Sequence, residues 1–291
     1  MEAYTMVQTI SVIGAGIMGS GIAYSAAIAG YTTKLYDISA DTIATAQQQH
    51  QMLAKGSVDK GFITAAQQQA VAAIHYATTI EEIVDSELII EAVIERIDVK
   101  SALFAQLDAL CEEQVIFATN TSSLSPTEIG AATKRPDRVI AMHFFNPVHK
   151  MKLVEIICGL DTSDETLATI QEVTAKLQKE AVVVNEFPGF VTSRMNVLIG
   201  NEAMNMLMEG VASAEDIDKA MRLGLNHPMG PLEMGDVVGL DTRLRTLEYL
   251  HRTLGEKYRP SPLLVKYVKA GRLGRKTGRG VYDYKEREQN V

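Results

Sequence analysis

The stretch HFFNPVHKMKLVEII, residues 143–157, sets a histidine at the end of one apolar run and a carboxylate twelve positions later inside another. A carboxylate buried without a partner costs several kcal/mol, so Glu155 requires one, and His143 is the nearest plausible group. An imidazole with an ordinary pKa near ~6.5 takes up a proton around neutral pH. A carboxylate beside it fixes the ring's tautomer beforehand and stabilises the imidazolium afterwards. Such a pair suits a reaction that removes the proton of a hydroxyl group. His149, in a loop, and His227, next to Pro228, are weaker candidates for that task.

A second constellation, VIGAGIMGSGIA, places Gly14, Gly16 and Gly19 in G-x-G-x-x-G spacing between a strand pattern and a helix expected to run to about Gly30. In that context the first glycine permits a tight turn and the second lets the backbone approach a pyrophosphate. The third packs helix against strand, and the helix N-terminus, with Ile17 and Met18 in its first turn, faces the phosphates. The next strand ends at Asp37, eighteen residues after Gly19. A carboxylate there accepts both ribose hydroxyls of NAD and repels a 2′-phosphate. FAD shares the glycine fingerprint, but proton removal at His143 fits hydride transfer to NAD.

Further polar residues fall at the same edge of the expected sheet. EAVIERIDVK sets Glu91, Glu95 and Lys100 around the end of a third strand, with Glu91 read as part of a solvated charge cluster. TNTSSLS follows a fourth strand and brings Asn120, Ser122 and Ser123 to the carboxyl ends, where α/β sheets bind ligands.

The elements that must position these groups alternate. Strand patterns occur at 10–14, 33–37, 88–93, 115–120, 139–145, 153–158 and 181–185, separated by helical stretches, which predicts a Rossmann-like, doubly wound, mostly parallel sheet. Residues 40–73 are Gln- and Ala-rich and longer than one crossover needs, which predicts a helical arm. After NEFPGF the strand patterns stop. A boundary near Pro188 would divide the chain into a dinucleotide-binding domain, 1–187, and an all-α C-terminal domain, 188–291. In the latter, Phe190, Met195, Leu198 and Met206 are expected to form one buried stripe. SAED at 213–216 reads as a helix-opening cap and Pro231 as the first turn of another helix. The thirteen methionines serve as core filler, and Met-rich helices also suit an oligomer interface.

Composition narrows the function classes. With 46% hydrophobic and 22% charged residues the chain can fill real cores, which excludes disorder. Cys111 and Cys158 show neither CxxC nor metal-ligand spacing and read as thiols in a reducing compartment; no metal site is expected. The first residues lack the pattern of a secretory signal, and no 18-residue apolar run occurs, so the expectation is a cytoplasmic protein without membrane contact. A formal charge of −8 argues against nucleic-acid binding. The basic stretch KYVKAGRLGRKTGRG is too short to change that. An anionic ligand must therefore meet local cations, for which Lys55 and Lys60 in the helical arm and the ATKRPDR stretch are candidates.

Taken together, GAGIMGSGIA, IIEAVIERIDVK, NTSSLSPTEI, HFFNPV, KLVEI, PGFV, HPMGPLEMGDVVGLD and LGRKTGRGVYDY, in this order, resemble the 3-hydroxyacyl-CoA dehydrogenase family, and most closely its short, free-standing bacterial members. The likeness covers nearly the whole chain. It implies an NAD domain, a helical dimerisation domain, a cleft between them for an acyl-CoA, and a homodimer. Motif by motif it assigns catalysis to His143 with Glu155, and substrate oxygen contact to Ser122. NAD contacts are implied at Asp37, Glu95, Lys100, Asn146 and Lys276, beside the glycine turn, Asn120 and Ser122.

The implied activity is NAD-dependent interconversion of (3S)-3-hydroxyacyl-CoA and 3-ketoacyl-CoA, with short chains such as 3-hydroxybutyryl-CoA, in fatty-acid or butanoate metabolism. One departure stands out. The family usually carries asparagine before the arginine that follows PGF and two further residues, whereas this chain reads PGFVTSR, with Ser193 there. That asparagine is held to polarise the substrate oxygen. A serine hydroxyl can still donate, and Asn196, one helical turn on, is the alternative donor. The rival readings are a dehydrogenase of a free hydroxy or sugar acid such as L-gulonate, and a non-catalytic, crystallin-like NAD-binding protein. Retention of both His143 and Glu155 weighs against the latter.

Overall fold

A computed structural model describes residues 6–284. Up to Phe187 the chain forms one compact unit and from Pro188 a second. The first is built on eight strands: β1 (Thr9–Ile13), β2 (Thr32–Tyr36), β3 (His75–Ala77), β4 (Leu88–Glu91), β5 (Ile116–Thr119), β6 (Val139–Phe144), β7 (Leu153–Cys158) and β8 (Glu180–Asn185). Their spatial order is β3-β2-β1-β4-β5-β6-β7-β8. All neighbouring pairs are parallel except β6 and β7. Strand order reverses between β1 and β4, and the crevice at such a switch point is where doubly wound sheets take ligands. β1, β4, β5 and β6 are buried along almost their whole length, which explains why they read as continuous apolar runs rather than alternating ones. The sequence patterns capture seven strands and miss β3, whose three residues are too few to show periodicity.

Among the described residues six α-helices accompany the sheet: α1 (Ile17–Ile28), α2 (Ala40–Asp59), α3 (Ala65–Ala72), α4 (Ile97–Leu110), α5 (Pro126–Gly130) and α6 (Asp164–Lys176). α2 and α3 are the expected helical arm, inserted between β2 and β3. Ser39 caps α2 by accepting from the Thr42 N–H at 3.2 Å, and Thr64 with Gln67 closes a capping box on α3. Buried side chains of α2 fall at Ile43, Ala46, His50, Ala54 and Ser57, a helical stripe in which two members are polar.

The second unit is helical: α7 (Thr192–Met208), α8 (Ala214–Gly224), α9 (Pro231–Val238), α10 (Leu240–Leu254) and α11 (Pro262–Lys269). The two start signals hold. Ser213 accepts from the Asp216 N–H at 3.1 Å, and Pro231 opens α9. The expected stripe on α7 does not. Phe190 is buried but precedes the helix at φ +51°, Met195 is 56% exposed, and Leu198 and Met206 are only half-buried. Packing against α9, α10 and α11 instead buries Val197, Asn201 and Met204, at steps of four and three. Asn201 is admitted because both ends of its amide are bonded, to the Arg259 carbonyl at 3.0 Å and the Ser261 N–H at 2.7 Å. Among the described residues no helix is long and apolar enough to cross a membrane.

Candidate active site

β6 and β7 run antiparallel, and their ladder sets His143 directly opposite Glu155. Opposed residues share one face of the sheet with their Cβ atoms about 5 Å apart, so the main chain alone brings the two side chains together. His143 Nδ1 lies 2.7 Å from Glu155 Oε2, with His143 8% and Glu155 1% exposed. A carboxylate only accepts, so Nδ1 carries the proton and the basic lone pair sits on Nε2. Phe145 packs on the ring at 4.4 Å between centroids. The result is an oriented imidazole with a buried anion behind it, able to take a proton and be stabilised once charged.

Gly14 has φ +95°, and a Cβ there would meet the Ala92 carbonyl oxygen at 2.7 Å. A Cβ on Gly19 would lie 1.7 Å from the Gly14 oxygen, so the turn closes on itself only without side chains. Gly16 faces open space, and α1 starts behind it with neither a side-chain cap nor an acidic residue in its first turn. This open, uncapped helix end with Ile17 and Met18 at its lip fits a pyrophosphate. Asp37 is fixed by the Ala15 N–H at 2.8 Å and the Ser39 N–H at 2.9 Å.

At the ends of β4 and β5 a polar lattice departs from the expected solvated cluster. Glu91 and Lys100 are both fully buried and joined at 2.6 Å. Glu91 also accepts from the Thr119 hydroxyl and the Val93 N–H, each at 2.6 Å. Burial pushes its pKa up, opposed by the Lys100 ammonium, the Thr119 hydroxyl and the Val93 N–H. Lys100 lies a further 3.4 Å from Glu95. Glu95 in turn receives the Thr121 hydroxyl at 2.6 Å, the Ser122 N–H at 2.9 Å and the Ser122 hydroxyl at 3.3 Å. It thereby holds the Ser122 loop. Asn120 accepts from the Phe144 N–H at 3.0 Å, bracing the strand that carries His143, and its own N–H donates to the Glu91 carbonyl at 2.7 Å. Asn146, three residues past His143, is exposed and precedes a cis proline.

The remaining candidates lie on other elements. Lys55 and Lys60 are exposed on and just after α2. In the helical unit Ser193 lies in the first turn of α7. The Asn196 side-chain oxygen accepts from Arg243 at 3.1 Å, which leaves its NH2 as the outward donor. Lys276 pairs with Asp241 at 2.6 Å. Sequence reasoning missed the buried role of Glu91, although the rule applied to Glu155 in LVEII covers it in LIIEA as well. Among the described residues no cluster of His, Cys, Asp and Glu could hold a metal ion.

The family model for the 3-hydroxyacyl-CoA dehydrogenase NAD-binding domain matches residues 9–187, and that for the C-terminal domain matches 189–284. The chain belongs to the 3-hydroxyacyl-CoA dehydrogenase family. A probable 3-hydroxybutyryl-CoA dehydrogenase of Bacillus subtilis is 48% identical over 283 residues, 97% of this chain and 99% of that one. The human mitochondrial hydroxyacyl-coenzyme A dehydrogenase is 39% identical, covering 96% of this chain and 92% of its own. Among solved structures, (S)-3-hydroxybutyryl-CoA dehydrogenase from Ralstonia eutropha superposes with a TM-score of 0.92 at 42% identity, over 96% of this chain and 99% of that one. The family models thus cover nearly all of both units.

Proposed function

We propose that this protein interconverts (3S)-3-hydroxyacyl-CoA and 3-ketoacyl-CoA with NAD, on short chains typified by 3-hydroxybutyryl-CoA and acetoacetyl-CoA, in fatty-acid or butanoate metabolism. The observation that carries the reading is the 2.7 Å contact that orients His143 on Glu155. NAD, held by the glycine turn and Asp37, would supply the hydride acceptor for the carbinol carbon. His143 Nε2 takes the hydroxyl proton as the C–O bond becomes a carbonyl, and Glu155 offsets the imidazolium charge. In the reverse direction the imidazolium returns that proton to the ketone oxygen. Ser122, held by Glu95, contacts the substrate oxygen, while the glycine turn and Asp37 hold the pyrophosphate and ribose.

The same proposal gives Asn120 and Asn146 cofactor contacts in the first unit and Lys276 one in the second. It gives Ser193 or Asn196 the donor role of the family asparagine, and Lys55 and Lys60 the CoA phosphates. It further includes a cytoplasmic homodimer. Exposed Met195, Met208, Leu223 and Leu225 of the helical unit, 44–77% accessible, support such an interface.

Steady-state absorbance assays with C4 to C16 3-ketoacyl-CoA, NADH and NADPH, set beside free hydroxy acids including L-gulonate, test the reading. The expected result is NADH-dependent turnover of acetoacetyl-CoA. Turnover of gulonate with none of the thioesters would overturn it.

A further inference from the structure

Three consecutive residues of α1 touch three different elements. Gly19 lies against the Gly14 carbonyl, and a Cβ on Gly21 would meet the Val148 side chain at 2.9 Å. Between them, Ser20 meets α2 through His50. The imidazole Nε2 is 2.8 Å from the Ser20 carbonyl oxygen and 2.9 Å from its hydroxyl, and Nδ1 is 2.8 Å from the Tyr76 hydroxyl on β3. His50 is 2% exposed.

Because a carbonyl oxygen only accepts, Nε2 carries the proton, and Nδ1 accepts from Tyr76. The ring is thus held as the neutral tautomer, consistent with burial lowering its pKa. The groups facing it are Ser20 and Tyr24 of α1 and Tyr76 of β3; Tyr24 bonds Ser57 farther along α2 at 3.4 Å. Among the described residues no carboxylate is bonded to it.

Ser20 is the fourth residue of α1, and its N–H donates to Gly16 at 2.9 Å. The preceding N–H groups, of Ile17, Met18 and Gly19, are those that a helix leaves without intrahelical partners and aims at an anion. Their direction is set by the peptide units behind them. Glycine on both sides of Ser20 supplies no side chain to do this. We infer that His50 is a positioning residue for the phosphate-binding turn, holding the first turn of α1 through the Ser20 carbonyl and hydroxyl.

The inference rests on the NAD reading and reaches beyond it. α2 begins directly after Asp37 and its partner Ser39, so His50 joins the ribose-binding carboxylate and the pyrophosphate-binding turn through a single helix.

The test is NADH binding, followed by nucleotide fluorescence, in parent, His50→Leu, His50→Gln and Tyr76→Phe, with KM for acetoacetyl-CoA and thermal midpoints measured alongside. Losing the bond to Ser20 is expected to raise the Kd for NADH about 10-fold in His50→Leu, in line with one buried hydrogen bond, while KM for the thioester stays within about twofold. His50→Gln keeps an N–H donor and should recover most of the affinity. Tyr76→Phe keeps the ring and removes the hydroxyl that fixes the imidazole, so about a threefold rise is expected even if leucine prevents folding. An NADH Kd equal to the parent's in folded His50→Leu, or in Tyr76→Phe where leucine does not fold, overturns the positioning role alone. Failure of the parent to bind NADH removes the cofactor reading, and this inference with it.

Discussion

Glu155 and Glu91 obey one rule and were legible to different degrees. Each is a carboxylate inside an apolar strand, and each turns out to face a basic side chain, His143 at 2.7 Å and Lys100 at 2.6 Å. For Glu155 the partner sits twelve residues away on the preceding apolar run, and the structure adds that the two strands pair antiparallel. For Glu91 the neighbouring charges of Glu95 and Lys100 resemble a solvated cluster, and only packing shows that Lys100 is enclosed. Residue-level chemistry predicts different consequences for the two pairs. His143→Gln removes the base and is expected to lower kcat by about 10²–10⁴-fold. Glu155→Gln keeps the ring in place but withdraws the anion behind it, giving a smaller loss, with NADH affinity retained in both. Equal kcat in parent and His143→Gln, in the absorbance assay, would remove the proposed base.

At the level of elements, the buried Glu91–Lys100 pair ties the end of β4 to α4 and, through Glu95, to the loop after β5. Removing Glu91 leaves the buried Lys100 ammonium only its longer, 3.4 Å contact to Glu95. Glu91→Gln should therefore destabilise the first unit by about 3 kcal/mol, whereas Glu91→Met with Lys100→Met should recover most of it. Urea unfolding of the three proteins checks this, and equal midpoints for parent and Glu91→Gln would contradict it. Long elements with buried faces were readable because their apolar runs are continuous. The α2 stripe was not, since His50 and Ser57 occupy positions where a hydrophobic residue would have announced the buried face. On α7 the expected stripe was misread, because Phe190 precedes the helix and the face that packs inward carries Val197, Asn201 and Met204 rather than Met195 and Met206.

For the whole molecule, the acidic balance of −8 and the ordinary apolar content are those of a globular chain, and the proposed dimer would rest on apolar side chains that the helices leave exposed. If those methionines and leucines pair two copies, sedimentation should return about twice the 31.8 kDa chain mass. Met195→Lys with Leu223→Lys should then shift the mass toward one copy, and a monomeric parent would rule the dimer out. Both cysteines are free thiols, and burial pushes Cys111 up to about 11 and Cys158 upward as well. Thioesters such as acyl-CoA are acyl donors to any available thiolate, and these two sulfurs stay protonated at neutral pH. On the proposed substrate class, a protein handling activated acyl groups would thereby keep its own sulfur chemically quiet, and its cargo would leave as the thioester that arrived.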